Sequence, residues 1–202
     1  NWGKYPDLSI VRVLSKFSNL KNKKILEIGM GTAANFSFFS DKKLKIFGID
    51  GSKIALKDAK KIIKKLKIKA DITRGDINNL PYKNNYFDYV VDCECLYSNS
   101  KKDSKKILSE VNRVLKKNGY FFSKTFAKSS VGESLFKKNK KHISSKARYI
   151  KKGYGVARIS TLPEIKKLYS VDFEIKNIEL EFRTYNYLKN SIKEWVLTCK
   201  KN

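Results

Sequence analysis

Lys24-Ile-Leu-Glu-Ile-Gly-Met-Gly-Thr-Ala-Ala34 is the stretch from which the rest of the chain can be ordered. Lys24 to Ile28 is a short apolar run holding one carboxylate, and it stops at Gly29-Met-Gly31, so it reads as a buried strand ending in a tight turn. Glycines at 29 and 31 let backbone approach a ligand closely, and the small Ala33 and Ala34 let the next helix pack on that strand. An acidic residue about twenty positions beyond such a turn suits a ribose, because a carboxylate accepts from both adjacent hydroxyls. Asp50 has that spacing.

Outward from the turn, strands and helical patterns alternate. Leu44 to Ile49 is a second strand closing at Asp50-Gly51, and Ser52 caps a helix with apolar residues at 55, 59, 62, 63 and 66. A third strand, Ala70 to Thr73, ends at Gly75-Asp76; a loop with Pro81 leads to a fourth, Tyr86 to Asp92. Asp103 is the expected cap of the following helix, whose Ile107, Leu108, Val111, Val114 and Leu115 share one face and which should stop at Asn118-Gly119. Tyr120 to Phe126 is strand five. Such alternation implies right-handed crossovers and a parallel sheet covered on both faces, a doubly wound α/β fold. In the tail Val171, Phe173 and Ile175 alternate, the alternation restarts at Ile178, Leu180 and Phe182, and Ile192 to Cys199 is a last strand, antiparallel to its predecessor because the connection is short.

At 202 residues the chain suits one domain. The expected divisions are an N-terminal helix or lid (1–22), a core (23–126), a basic insertion (127–160) and a C-terminal helix and hairpin (161–202). The net charge of +26 suggests nucleic acid, an anionic surface or an acidic substrate. Only six of the 45 basic residues are Arg, however, alongside 19 Ile and 16 Asn, the skew an AT-rich genome writes on any neutral surface. Three cysteines and one histidine build neither a disulfide framework nor a metal site, and fit a reducing cytoplasm. No apolar run approaches a membrane span. From Lys124 to Arg158 eleven basic residues face one acid, Glu133, with His142 among them.

Three acidic groups fall at the carboxyl ends of strands, where open α/β sheets bind ligands: Glu27, Asp50 and Asp76. Gly29 to Ala34 also satisfies the dinucleotide fingerprint, so a nicotinamide-binding oxidoreductase is a rival. Against it stand Glu27, where such a turn normally has an apolar residue, Asp76 within reach of an adenine, and the lack of chain for a substrate domain. Tyr-x-x-x-Lys pairs at Tyr97/Lys101, Tyr120/Lys124 and Tyr185/Lys189 occur at the density chance provides in a chain so rich in both residues.

Five segments in order resemble the class I S-adenosylmethionine-dependent methyltransferases: Ile25 to Ala33, Ile46-Phe-Gly-Ile-Asp50, Arg74-Gly-Asp-Ile-Asn-Asn-Leu-Pro81, Tyr86 to Asp92, and Glu110 to Tyr120. The resemblance spans Lys24 to Phe126 and implies a Rossmann-like, seven-stranded, mainly parallel sheet finished by an antiparallel C-terminal hairpin strand. Tyr5-Pro6 and Leu96-Tyr97 look like small-molecule or sugar methyltransferases. Ala33 replaces a common third glycine, and Ser98 stands where relatives often carry histidine.

By that resemblance Glu27 lies near the methionine amine, backbone at Gly29, Met30 and Gly31 lines the cofactor, Asp50 holds the ribose and Asp76 the adenine amine. Gly51 and Ile77 flank the ring, the main chain at Cys93 faces the methionyl part, and Trp2 and Tyr5 close over it. Glu94, Tyr97 and His142 are the candidate catalytic groups; pairing with a neighbouring lysine is the competing reading for Glu94, and packing over the cofactor for Tyr97. The basic insertion points to a small anionic acceptor, such as a sugar or nucleotide-linked sugar, with Arg148, Lys151, Lys152 and Arg158 as binding residues. RNA methylation and a non-catalytic cofactor-binding domain are the alternatives; no adenine-gripping Asn/Asp-Pro-Pro-aromatic stretch follows strand four, where Asp92-Cys-Glu-Cys95 stands instead.

Overall fold

The computed structural model describes residues 5–128, 157–185, 187–188 and 190–202. In chain order they form α1 (Leu8–Leu14), β1 (Lys24–Ile28), α2 (Phe36–Asp41), β2 (Lys45–Asp50), α3 (Lys53–Lys65), β3 (Ala70–Arg74), β4 (Phe87–Cys93), α4 (Lys101–Val114), β5 (Leu115–Phe126), α5 (Leu162–Tyr169), β6 (Glu174–Tyr185) and β7 (Asn190–Lys200). The strands make one sheet in the order β3-β2-β1-β4-β5-β7-β6. β1 to β5 pair in parallel, and β7 runs antiparallel to both neighbours. The expected doubly wound α/β sheet with its antiparallel hairpin is therefore present, and among the described residues no helix is long and apolar enough to cross a membrane.

Strand residues alternate between two cores because successive side chains leave opposite faces of a pleat. Ile25, Tyr89, Val91, Phe122 and Val196 meet Ile10, Val13 and Leu14 of α1 and Phe36 and Phe39 of α2. On the other face Leu26, Ile28, Val90, Phe121 and Leu197 meet Ile107, Leu108, Val111 and Val114 of α4 and Ile165, Leu168 and Tyr169 of α5. α3 buries little besides Ala59, and Leu66, expected on its apolar face, becomes its half-exposed C-cap.

Several boundaries differ from expectation for identifiable reasons. α4 starts at a Ser100 cap, whose Oγ accepts from the Asp103 amide at 3.1 Å and donates to its carboxylate at 2.6 Å, so Asp103 completes the first turn instead of capping it. α4 ends at Val114, four residues before Asn118-Gly119. Asn118 does take the left-handed φ of +63°, but inside β5, where the register slips between Phe87 and Tyr89. Its amide and the Gly119 carbonyl bond to Lys201. The restarted alternation at Ile178 is a bulge in β6 between Ile175 and Asn177; Val171 precedes the strand and is exposed. Ala33 and Ala34 lie in the turn before α2, with Ala33 at φ +62°.

A buried polar network sets the loop after β4. Asp92 Oδ1 accepts from the amides of Cys95 and Leu96, both at 2.9 Å, and Oδ2 from Ser123 Oγ at 2.7 Å. Tyr169 Oη lies 2.7 Å from the same Ser123 oxygen. Burial pushes the Asp92 carboxyl above its usual range against the pull of these donors. Removing the phenol leaves Ser123 a partner short in a dry site, so Tyr169→Phe should lower stability by about 1–2 kcal/mol in urea denaturation, with an unchanged m value.

Candidate functional site

The strand order reverses between β1 and β4, which opens a crevice at their carboxyl ends. Gly29, at φ +61°, makes the turn there, and a Cβ on it would fall 2.2 Å from Cys95 Sγ and 2.5 Å from Cys95 Cβ. Two constraints thus demand glycine: a left-handed backbone and the loop after β4 lying against it. The amides of Gly29 and Met30 donate to the Ile49 carbonyl at 2.8 and 3.3 Å. Asp50 then receives the Gly31 amide at 2.9 Å and the Ser52 amide at 2.8 Å, so one carboxylate fastens the glycine turn to the start of α3. A Cβ on Gly31 would meet no described atom within 4 Å, which leaves its backbone open to the crevice.

The crevice has a volume of about 1370 Å³. Of the expected cofactor residues, Glu27, Gly29, Met30, Gly31 and Asp50 line one part, and Gly51, Asp76, Ile77, Cys93 and Tyr5 line others. Met30 is itself buried, its sulfur filling the space a side chain on Gly48 would take. Asp76, exposed, has one oxygen occupied by the amide and side chain of Asn78 at 2.8 and 3.0 Å. Arg74 lines the same end, its Nε donating to the Gly51 carbonyl at 3.2 Å.

Glu27 is buried at the base of the crevice. Asn35 Nδ2 donates to its Oε1 at 2.6 Å, while Oε2 has no hydrogen-bond partner. Burial raises the carboxyl from 4.5 to about 8, opposed by Asn35 and reinforced by the charges of Asp92, Asp7 and Asp50. A buried carboxyl one donor short fits a cationic amine, which would restore its ionised form. Together with a glycine turn open at Gly31 and a carboxylate at Asp50, this donor set suits an adenosine bearing an amino acid. Cys93 and Cys95 are unsuited to nucleophilic work, because burial pushes both thiols well up, away from the thiolate.

At the other end lie Glu94 and Tyr97, brought there by the loop that Asp92 holds. Glu94 takes φ +64° and its carboxylate stands 3.6 Å from Lys124 Nζ, the lysine pairing weighed from the sequence. Tyr97 packs on Phe126 with ring centroids 4.6 Å apart, and burial raises its phenol. By sequence, Lys124 is one of the eleven basic residues from Lys124 to Arg158. In the structure it is 4% exposed, its ammonium 2.7 Å from Asp7. Arg158 departs from expectation: it is buried against the start of α4, donating to the Asn99 carbonyl at 3.0 Å and to Ser104 Oγ, and is not part of the crevice lining. Trp2, His142, Arg148, Lys151 and Lys152 lie outside the described residues.

Sequence reasoning missed Asp7, Lys124, Glu181 and Arg183, all of which line the crevice. Asp7 had a legible signal as the N-cap of α1, accepting from Ser9 at 2.9 Å. It is also the link between ends, since its amide donates to Asn35 Oδ1 at 2.8 Å while its carboxylate holds Lys124. Glu181 and Glu179 receive Arg12 from α1, fastening that helix to β6.

A family model described as a methyltransferase domain matches residues 19–194. Comparison with curated proteins gives no match. Among solved structures, an S-adenosylmethionine-dependent methyltransferase from Methanosarcina mazei superposes with a TM-score of 0.79 at 21% identity, over 94% of this chain and 96% of that one. A Pyrococcus horikoshii OT3 protein gives 0.73 at 19% identity, over 96% and 88%. The Burkholderia thailandensis 1,6-didemethyltoxoflavin-N1-methyltransferase, solved with its substrate and S-adenosylhomocysteine, gives 0.70 at 15%, over 96% and 76%. Likeness at such identities establishes the shared fold.

Two outcomes test this geometry. Gly29→Ala combines a left-handed alanine with a clash against Cys95, and should cost about 2–4 kcal/mol in chemical denaturation. Glu27 binds its proton more tightly folded than unfolded, so its contribution is complete below 4.5 and lost as pH rises to about 8. Stability measured across that window should decline with pH in the wild type, and Glu27→Gln should remove the Glu27 part of the decline.

Proposed function

We propose, from the premise that this chain belongs to the methyltransferase domain family and is a class I S-adenosylmethionine-dependent methyltransferase, that it methylates a small molecule held between Glu94, Tyr97 and Arg183. The cofactor, when bound, supplies a methyl group already activated on a sulfonium. What the chain must add is alignment, which in favourable systems is worth about 7–11 kcal/mol.

In this reading Glu27 receives the amino group of the cofactor, and backbone from Gly29 to Gly31 follows its amino-acid portion. Asp50 accepts from the ribose hydroxyls with lone pairs left over from its two backbone bonds. Gly51 and Ile77 bracket the adenine, Asp76 accepts from its amine, and the main chain at Cys93 borders the methionyl part. Tyr5, exposed at the rim, and Trp2 cover the site, with His142 a further candidate at the acceptor side. The observation that carries the assignment is Glu27, a buried carboxyl with one oxygen unpartnered, lining the same crevice as Asp50.

An anionic acceptor, such as a nucleotide-linked sugar, is the finer reading. Arg183 favours it: 63% exposed, on the crevice lining, with a 3.3 Å contact to Glu194 as its ion pair among the described residues. Arg148, Lys151 and Lys152 are the remaining proposed contacts; the burial of Arg158 leaves it a supporting part at α4.

Calorimetry with S-adenosylmethionine, S-adenosylhomocysteine and NAD tests the reading. The two adenosyl compounds should bind and NAD should not; binding of NAD alone overturns it. Asp50→Ala should weaken adenosyl binding roughly 10- to 100-fold, the range for losing hydrogen bonds to a charged group. Because burial raises Glu27 to about 8 before an ammonium arrives, binding near pH 7 should release a proton, read from the dependence of the measured heat on buffer ionisation enthalpy. Affinity should rise with pH toward 8, and Glu27→Gln should abolish both effects.

A further inference from the structure

Sheet register gathers an unusual charge cluster at the acceptor end of the crevice. Glu181 of β6 pairs with Glu194 of β7, which pairs with Phe126 of β5, two residues along from Lys124 on the same face. Cys93 of β4 pairs with Lys124 itself, so the next residue, Glu94, arrives beside the same ammonium, its amide donating to the Lys124 carbonyl at 3.2 Å. Lys124 Nζ therefore stands 2.7 Å from Asp7, 3.4 Å from Glu194, 3.6 Å from Glu94 and 3.9 Å from Glu181.

Among the described residues these carboxylates outnumber the cations that reach them. Besides Lys124, Arg183 reaches Glu194, and Arg12 is shared between Glu181 and Glu179, which Lys16 also meets, so among the described residues four positive charges face five negative ones. Glu194 is the member least able to find help elsewhere. It is 2% exposed, its Oε2 serves both Lys124 and Arg183, and its Oε1 has no hydrogen-bond partner. Glu94, by contrast, is 23% exposed on the crevice lining. A proton between these two carboxyls would satisfy the orphan oxygen and cancel the excess charge.

We infer that Glu94 and Glu194 are a proton-sharing pair in which Glu94 takes the proton from a hydroxyl or amine acceptor and Glu194, acting through it, positions and stores that proton. The inference rests on the methyltransferase reading and adds to it the class of acceptor: a nucleophile that carries a hydrogen. In the step, the acceptor's lone pair forms the bond to the methyl carbon, the electron pair of the broken carbon–sulfur bond goes to sulfur, and the acceptor's proton passes to the carboxylate pair. Glu94 then returns it to solvent.

The groups facing Glu194 oppose one another, and the raising ones prevail. Burial and the Glu94 carboxylate raise it to about 7, while Lys124 on β5 and Arg183 on β6 pull it down. Glu181 opposite it, Asp7 on α1 and Tyr97 complete its surroundings. Glu194 is thus ionised above about pH 7, where it can take up the proton that Glu94 passes on.

The first measurement uses the full chain without cofactor or acceptor, with carboxyl-¹³C glutamate, titrated by NMR. The difference between wild type and Glu194→Gln should contain one carboxyl titrating near neutrality, Glu27 being common to both. In Glu94→Gln the Glu194 titration should move toward the ordinary carboxylate range. That second variant also serves if Glu194→Gln does not fold. Absence of any such titration overturns the inference whether or not an acceptor has been found. The second measurement follows radiolabelled methyl from S-adenosylmethionine into simple alcohols, phenols and primary amines, against carboxylates and tertiary amines. Transfer should be confined to the first group and rise with pH through about 7. Glu94→Gln should slow it 10²- to 10⁴-fold, and Glu194→Gln should lower kcat more than it raises KM and flatten the pH profile. Transfer to carboxylates or tertiary amines, or a pH profile unchanged in Glu194→Gln, overturns the pair. Calorimetry separates the two readings: both variants should still bind S-adenosylmethionine, whereas failure of the wild type to bind it would count against the function itself.

Discussion

Three strand ends meet at Gly29. Its amide bonds to the Ile49 carbonyl of β2, its missing side chain leaves the space that Cys95 fills after β4, and its φ of +61° turns the chain out of β1 toward Gly31 and the Asp50 carboxylate. The crevice exists because these segments approach so closely, and each approach needs the others. Asp92 supports the arrangement from below by holding the Cys95 and Leu96 amides, and these amides with the Ser123 hydroxyl, itself paired with Tyr169, supply the donors that make a buried aspartate tolerable.

Charge divides the same crevice into two ends. Near Glu27 a carboxyl is buried with Asn35 as its described donor, and burial raises it to about 8, which suits it to a positively charged partner. Near Glu94 the opposite device operates: a buried lysine is surrounded by carboxylates, which raise its pKa in spite of the burial that lowers it. Asp7 and Asn35 connect the two ends through hydrogen bonds of 2.7, 2.8 and 2.6 Å. α1, which Asp7 caps and Arg12 fastens to β6, therefore reports on both.

Neither of these features follows from the net charge of +26. Lys124 and Arg158 bound the basic segment in sequence, yet both side chains turn inward, one toward acids contributed by α1, β6, β7 and the loop after β4, the other toward the start of α4. A charge run in sequence carries no information about which of its members a sheet register will bury. The same limit explains Asn118-Gly119. That pair encodes a left-handed backbone, and the structure contains one, but whether it ends a helix or bulges a strand depends on Asp88 and Lys201, remote in sequence.

The sequence by itself determined the strand–helix alternation, the glycine turn and the acidic ends at Glu27, Asp50 and Asp76, because each rests on local rules: period, turn chemistry and spacing along one chain. Matched segments between Lys24 and Phe126 carried the family by the same locality. Only the tertiary structure decided which charges neutralise one another, since Lys124 meets Asp7 across 117 residues and Glu194 across 70. Such pairs are chosen by strand register and burial, where desolvation makes partners obligatory, and no pattern along the chain announces them.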